Sequence, residues 1–510
     1  MDASHRLECQ PDTRLDVLKF ITDWLINPSG DQNVLWLYGI AGCGKSTIAT
    51  TIASYFRELG RLGAFLFFDR STTSEPSYFM RTLAYQLGSS DPRIGTAISA
   101  AISLNPRIAE SPFHLQFTRL ILEPLSSLEG LRSQGPIVIV FDALDECGNS
   151  DSRKLLLRTL ADDFKKLPSF LRIFVTSRPQ HDITVAFSSQ AHIFGREFQI
   201  SADSNLKDIV AYLRQRLAEI RVMNDDLPFA SDWPGETNIC HLSERSAGLF
   251  IWCSTAMIFV EKGQDPNERL EILLQAKFRR KAESALDDLY NIAMQVSGLW
   301  DDETFASDFR AILGTIIVAK ELLYHHTIDD LLGFGPRKRS RHTIMRFSCV
   351  LSWVSPTEPI RILHPSFADF LSDRGHCKRE EWFIDTAFHS RQLAFRCFQI
   401  MQAKLTFNIC RLETSYIRND NIPDLDARIR DAIPSHLSYA CRFWADHLRA
   451  TPNQGPDLKI FQELVKEFLF TRLLYWLEVL SLLKAVTMAA PSILSAATWF
   501  EVHIRGIFVH

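Results

Sequence analysis

The sequence predicts an α/β domain built on a mostly parallel sheet, followed by a long run of helices. Three stretches carry that expectation. The apolar run 34–38 leads straight into Gly39-Ile40-Ala41-Gly42-Cys43-Gly44-Lys45-Ser46, which fits the phosphate-loop pattern GxxxxGK[ST] at every fixed position. The segment IATTIASYF follows it with the small and apolar spacing of a helix lying on a sheet. PIVIVFDALDEC (136–147) and FLRIFVTSRP (170–179) are two further buried strands, each ending in polar residues. Strands alternating with helices on this scale imply a parallel sheet covered on both faces, with ligands at the carboxyl ends of its strands.

The order of elements follows from local pattern. Residues 12–26 have apolar positions at helical spacing after an Asp-Thr start, and read as a helix leading into the sheet. GAFLFFD (63–69) is a second strand, with helices expected at about 76–88, 93–104 and 112–128. A helix near 151–167 precedes the strand at 170–179, and REFQI (196–200) is expected to be a last, short strand. Beyond 203 the strand signal fades. Residues 204–220 and 237–262 read as helices, with polar connection to 275. Within 283–370, helices precede LSWVSPTEPIRILH, where two apolar runs flank Pro-Thr-Glu-Pro as in a β-hairpin; helices then a hairpin suggest a winged-helix unit. Residues 376–510 are helical by pattern, with breaks near Pro423, Pro434 and 451–456, and show no repeat period. The expected division is 1–30 lead-in, 31–202 nucleotide-binding domain, 203–275 small helical domain, 276–375 winged helix and 376–510 helical region.

Composition sets the outer bounds. A chain of 510 residues is too long for one core. Its 46% hydrophobic and 23% charged residues are those of a globular protein, and a net charge of −4 gives no sign of a nucleic-acid or membrane surface. Ten cysteines without a CxxC pair read as reduced intracellular thiols and argue against a zinc site. The polar N-terminus lacks the apolar core of a signal peptide. The uncharged run 485–500 contains Pro491 and is shorter than the ~20 residues a bilayer crossing demands. A cytoplasmic protein is expected. The basic stretch PRKRSRH (336–342) reads as a solvated loop.

The chemistry sits in the three opening stretches. Glycines let the backbone of 39–44 curl so that its N–H groups face phosphate oxygens, and the following helix N-terminus adds positive potential. Lys45 is expected to hold the β and γ phosphates and the Ser46 hydroxyl to take a place on magnesium. Cys43 reads as packing rather than as a redox switch. Asp142 emerges at the end of a strand, where it can hold the same magnesium, and Asp145 and Glu146 follow at a spacing able to orient an attacking water. Spacing does not choose between the two carboxylates. Arg178, at the outlet of the strand in FLRIFVTSRP (170–179), reads as a γ-phosphate sensor. Neither a Ser-His-Asp grouping nor metal-ligand spacing stands out elsewhere.

GIAGCGKST, IVIVFDALDEC and FVTSRP, in this order and spacing, resemble the NACHT family of signal-transducing P-loop NTPases, of the STAND class. The fungal members are the most similar, with a Cys and an Arg in the lead-in (ECQPDTRLDVLKFITDWL), a wing ending like LHPSFADFL and a helical segment like YACRFWADHL. The resemblance covers about 6–450. It implies a strand order of 5-1-4-3-2, ATP or ADP held with Mg2+ by Gly39 to Thr47, closure over ADP at rest, and a homo-oligomer when active. It also implies that His364, at the end of the wing, touches the β-phosphate of ADP. Two departures stand out. The proline that touches adenine in related plant-type domains is missing from Ala247-Gly248-Leu249-Phe250-Ile251-Trp252, where Phe250 is the candidate to cover the base. The chain also begins almost at the nucleotide domain and shows no terminal repeats, as a fragmentary gene model or a protein with separate partners would.

The sequence thus reads as an ATP/ADP switch with slow magnesium-dependent hydrolysis and nucleotide-controlled self-association, of the kind used in fungal innate-immunity or incompatibility signalling. The rival readings are a turnover ATPase or kinase, and a truncated scaffold that does not signal.

Overall fold

The structure is a computed structural model that describes residues 7–27, 31–69, 78–148, 150–201, 203–279, 281–335, 339–353, 355–414, 416–451 and 457–507. The chain forms two compact units, Met1–Ile292 and Ala293–His510.

The first unit is organised by five parallel strands: β1 (Val34–Tyr38), β2 (Leu62–Phe67), β3 (Ile137–Asp142), β4 (Leu171–Ser177) and β5 (Ile193–Glu197). They lie in the order β2-β3-β4-β1-β5, the predicted 5-1-4-3-2 read from the other edge. β3 and β4 are buried along their whole length, which is why they read as continuous apolar runs. Side chains alternate between two cores. Val34, Trp36, Ile139 and Phe141 join one cluster with the helices Phe79–Ser90, Pro92–Leu104 and Ser150–Asp162. Leu35, Leu37, Val138 and Val140 join the other, with α1 (Leu15–Ile26) and α2 (Lys45–Glu58). The register aligns Tyr38 with Ser177, and Phe67 with Asp142, so the carboxyl ends of the strands share one edge of the sheet.

Several elements differ from the sequence expectation. The first helix starts at Leu15 and not at Asp12, because Asp12 and Arg14 both have left-handed backbone, φ 63° and 64°. The last strand is 193–197 rather than 196–200: it pairs with β1 from Val34↔Ile193 to Tyr38↔Glu197. It is an edge strand whose last three residues are exposed, so no apolar run marks it. The helix expected at 112–128 contains a π-helical turn, Phe117–Leu122, just before Pro124; a proline removes one helical donor and clashes with the preceding turn, and a widened turn absorbs both effects. The single helix 237–262 is two helices, Glu236–Arg245 and Phe250–Glu261, broken where Ala247 and Gly248 take φ of 47° and 83°. The polar connection that follows holds a further helix, Pro266–Gln275, with Asp265 capping the Asn267 N–H at 2.8 Å and a proline at its first position.

The described residues of the second unit are mostly helical, and a short antiparallel pair, β6 (Leu351–Ser352) and β7 (Arg361–Ile362), realises the hairpin around Pro-Thr-Glu-Pro. The basic stretch is not a loop where it is described: Arg339–Arg346 is a helix, and 336–338 lie outside the described residues. Residues 376–510 are not helical throughout, since among the described residues 376–385, 405–414 and 416–418 are turns and extended backbone. The helix Ala489–Ile507 occupies most of the uncharged run near the C-terminus. Trp300 anchors one part of this unit against Phe305, Phe309, Phe347 and Trp382, and Trp444 another against Phe398, Phe468 and Trp476. Among the described residues, no helix is long and apolar enough to cross a membrane.

Candidate functional site

The turn from β1 into α2 is the glycine loop. Gly42 and Gly44 have φ of 75° and 99°, conformations open to glycine and strained for other residues, and Gly44 is the left-handed residue that starts α2. Gly42 has a second reason to lack a side chain. A Cβ there would lie 2.0 Å from Ile251 Cγ2, and its carbonyl accepts the Ile251 N–H at 3.1 Å. Helix Phe250–Glu261 therefore rests directly on the loop. The loop start is tied to the sheet by Gly39 N–H donating to the Ser177 carbonyl at 3.3 Å. Lys45 is buried, and its ammonium donates to the Gly39 and Ile40 carbonyls at 2.8 Å each. Ser46 and Thr47, both half-buried, occupy the first turn of α2.

Asp142 closes β3 and is fully buried. The Thr176 hydroxyl donates to its Oδ1 at 2.6 Å and accepts the Ala143 N–H at 3.0 Å, so a relay running from backbone through hydroxyl orients the carboxylate. Ala143 itself takes φ 57°, turning the chain so sharply that Leu144–Glu146 form a single 3-10 turn. Asp145 is 5% exposed, and its Oδ1 accepts the Arg178 N–H at 2.9 Å while Oδ2 lies 3.3 Å from Arg178 Nε. Glu146 is half-buried. The structure thus brings Asp142, Asp145, Glu146 and Arg178 to the ends of β3 and β4, the edge of the sheet from which the loop also leaves.

Sequence reasoning passed over three residues here. Thr176 steers Asp142. Arg153, 3% exposed, donates to the Asp145 carbonyl at 2.7 Å and pairs with Asp182 at 2.7 Å, fixing the acidic turn from behind. Arg14 donates to the Cys43 carbonyl at 2.8 Å and lies against the rings of Phe198 and Phe250, with burial holding its pKa below the usual arginine range. Its signal was present, as the lead-in Arg of the resemblance. Burial also pushes the thiol of Cys147 up to about 12, which leaves it unreactive beside the acidic turn. Among the described residues, no cluster of three His, Cys, Asp or Glu has the arrangement of a metal site.

His364 lies in the second unit. It caps the helix Pro365–Ser372: its Nδ1 accepts the Ser366 N–H at 3.2 Å and lies 2.7 Å from the Ser366 hydroxyl.

Residues 18–178, which span the glycine loop, the acidic turn and Arg178, match the sequence model of the family Nephrocystin 3, N-terminal. The vegetative incompatibility protein HET-E-1 of Podospora anserina is 23% identical over 509 residues, covering 93% of this chain but only 35% of that protein. Solved structures are more distant. The ORC2 protein of Aeropyrum pernix, in ADPNP-ADP complexes, covers 69% of this chain and 91% of its own at 10% identity and a TM-score of 0.30. Drosophila ORC bound to DNA covers 94% and 71% at 12% identity and a TM-score of 0.25. Motif order, strand order and the two sequence matches agree, and they support the similarity to fungal NACHT-type proteins, the Podospora incompatibility protein among them.

Proposed function

We propose that this chain is an ATP/ADP-binding signalling switch that hydrolyses slowly and self-associates under nucleotide control, in the cytoplasm. One observation carries the reading: a glycine loop with left-handed Gly42 and Gly44 opens α2 at Lys45, on the edge of the sheet where Asp142 and Arg178 also emerge. Lys45 would exchange the Gly39 and Ile40 carbonyls for phosphate oxygens, a stronger, charge-assisted pairing. The residues fit magnesium. Ser46 offers a hydroxyl in the first turn of α2, and Asp142 is a buried carboxylate steered through one oxygen by Thr176. The ion would neutralise charge on the phosphates when bound.

The two later carboxylates have different surroundings. Asp145 is committed to Arg178 and reads as the group that aims this guanidinium at the γ-phosphate. Glu146 is then the better candidate to orient water. Phe250, at the start of the helix resting on the loop, would cover the base. The small helical domain, the winged helix and the ADP contact of His364 belong to the same reading, as does the homo-oligomer.

The test is nucleotide content. Purified protein should carry ADP or ATP, identified by mass spectrometry, and Lys45→Ala should lose it. A well-folded wild type that retains and binds no nucleotide refutes the switch, and turnover at many cycles per second favours an ordinary ATPase.

A further inference from the structure

Arg14 stands outside the loop, the acidic turn and the strand that ends at Arg178, yet its guanidinium reaches the loop backbone at Cys43. It is 6% exposed and has φ 64°, a left-handed backbone that a non-glycine residue keeps only where its surroundings impose it. Its backbone N–H donates to Asp208 Oδ2 at 2.9 Å. Its guanidinium donates through one terminal nitrogen to Asn205 Oδ1 and through the other to the Cys43 carbonyl at 2.8 Å. The Cζ lies 4.6 Å from the Phe198 ring centre and 4.3 Å from that of Phe250, so aromatic faces take up the charge on the sides its hydrogen bonds leave open. A Cβ on Gly44 would come within 3.4 Å of the same guanidinium.

The consequence lies in one peptide plane. In a trans peptide the C=O and the following N–H point in opposite directions. With the Cys43 carbonyl held on Arg14, the Gly44 N–H is turned the other way, and Gly44 has no side chain to set that plane by itself. We propose that Arg14 is a positioning residue for polyphosphate binding: it fixes the Cys43–Gly44 peptide so that the Gly44 N–H serves the phosphates, and its anchors Asn205 and Phe250 make this setting depend on the helices that follow the sheet. The proposal rests on the phosphate-loop reading. Arg14 itself donates its bonds to Asn205 and the loop carbonyl rather than to a phosphate.

Calorimetric titration of the full chain with Mg-ADP and with Mg-pyrophosphate separates the possibilities. Wild-type binding to either ligand establishes the underlying reading; binding to neither removes it, and this proposal with it. Given wild-type binding, Arg14→Ala should weaken both ligands by about tenfold, the scale of one charge-assisted hydrogen bond. Arg14→Lys, which keeps a donor but not the two-sided fork, should fall between. A folded Arg14→Ala that binds both within twofold of wild type, with only its melting temperature lowered, overturns the proposal. A loss confined to ADP places Arg14 at the nucleoside and overturns it equally. Should Arg14→Ala fail to fold, Arg14→Lys decides by the same criterion: unchanged affinity for both ligands sinks the idea.

Discussion

At the scale of single residues, the acidic turn offers the sharpest division of labour. Asp145 accepts from the Arg178 backbone and faces its side chain, so its removal is expected to be felt as structure. Asp145→Ala leaves the Arg178 N–H without its acceptor, a loss of about 1–3 kcal/mol that urea unfolding will read. Glu146→Gln should leave stability and nucleotide affinity near wild type while slowing hydrolysis by about 10²–10⁴-fold, the contribution of a positioned base. Equal single-turnover rates in Glu146→Gln and wild type would remove Glu146 from the chemistry. A buried histidine gives a second residue-scale expectation. His447 accepts or donates at Tyr439 Oη, 2.7 Å away, and burial holds its pKa down to about 3. The unfolded chain, with an ordinary value near ~6.5, therefore binds the proton first as pH falls. Stability from this group is intact above that value and declines by about 1.4 kcal/mol per pH unit between roughly 6.5 and the folded pKa. Chemical unfolding of wild type and His447→Gln between pH 7 and 4 should show the shallower slope in the variant.

At the scale of elements, the joint between the glycine loop and helix Phe250–Glu261 is a close contact with a backbone hydrogen bond across it. Gly42→Ala meets two penalties. The left-handed backbone costs about 1–2 kcal/mol with a Cβ, and the overlap with Ile251 adds about 1–3 kcal/mol of overpacking. Ile251→Ala should relieve the second and not the first. A double-mutant cycle read by thermal melts should thus show favourable coupling of more than about 0.5 kcal/mol; additive effects would mean that the helix yields freely. The same joint shows where sequence reading succeeds and stops. The loop, β1, β3 and β4 were legible because burial on both faces demands continuous apolar runs, and the loop pattern demands glycines. β5 was misplaced because an edge strand needs no such run. The break at Ala247-Gly248 was missed because an apolar pattern passes through it, although Gly248 was its local sign: a Cβ there would sit 2.4 Å from the Ile200 carbonyl. Asp142 and Arg178 were legible from their places at strand ends. Thr176 and Arg153 were not, since their importance lies in partners 8 to 34 residues away in sequence, and Arg14 was visible as the lead-in arginine without its partners, which lie 29 to 194 residues away.

At the scale of the whole molecule, each unit carries its own means of order. The first depends on a sheet whose strand ends converge on one edge, and the second on tryptophan-centred helical packing. The chain spans 35% of the length of its Podospora relative, so a signalling output is a property to be sought with whatever accompanies this region. The joint between loop and helix bears on how such a molecule changes over generations. Its hydrogen bond runs from the Ile251 main chain to the Gly42 main chain. A codon change can alter the girth of the side chain at 251, but it cannot erase an amide or a carbonyl, short of proline. The connection is thus inherited with the path of the backbone rather than spelled at a position. Relatives could lose every recognisable letter of 247–252 and still couple the same loop to the same helix, and a search for that coupling by residue identity would pass straight over it.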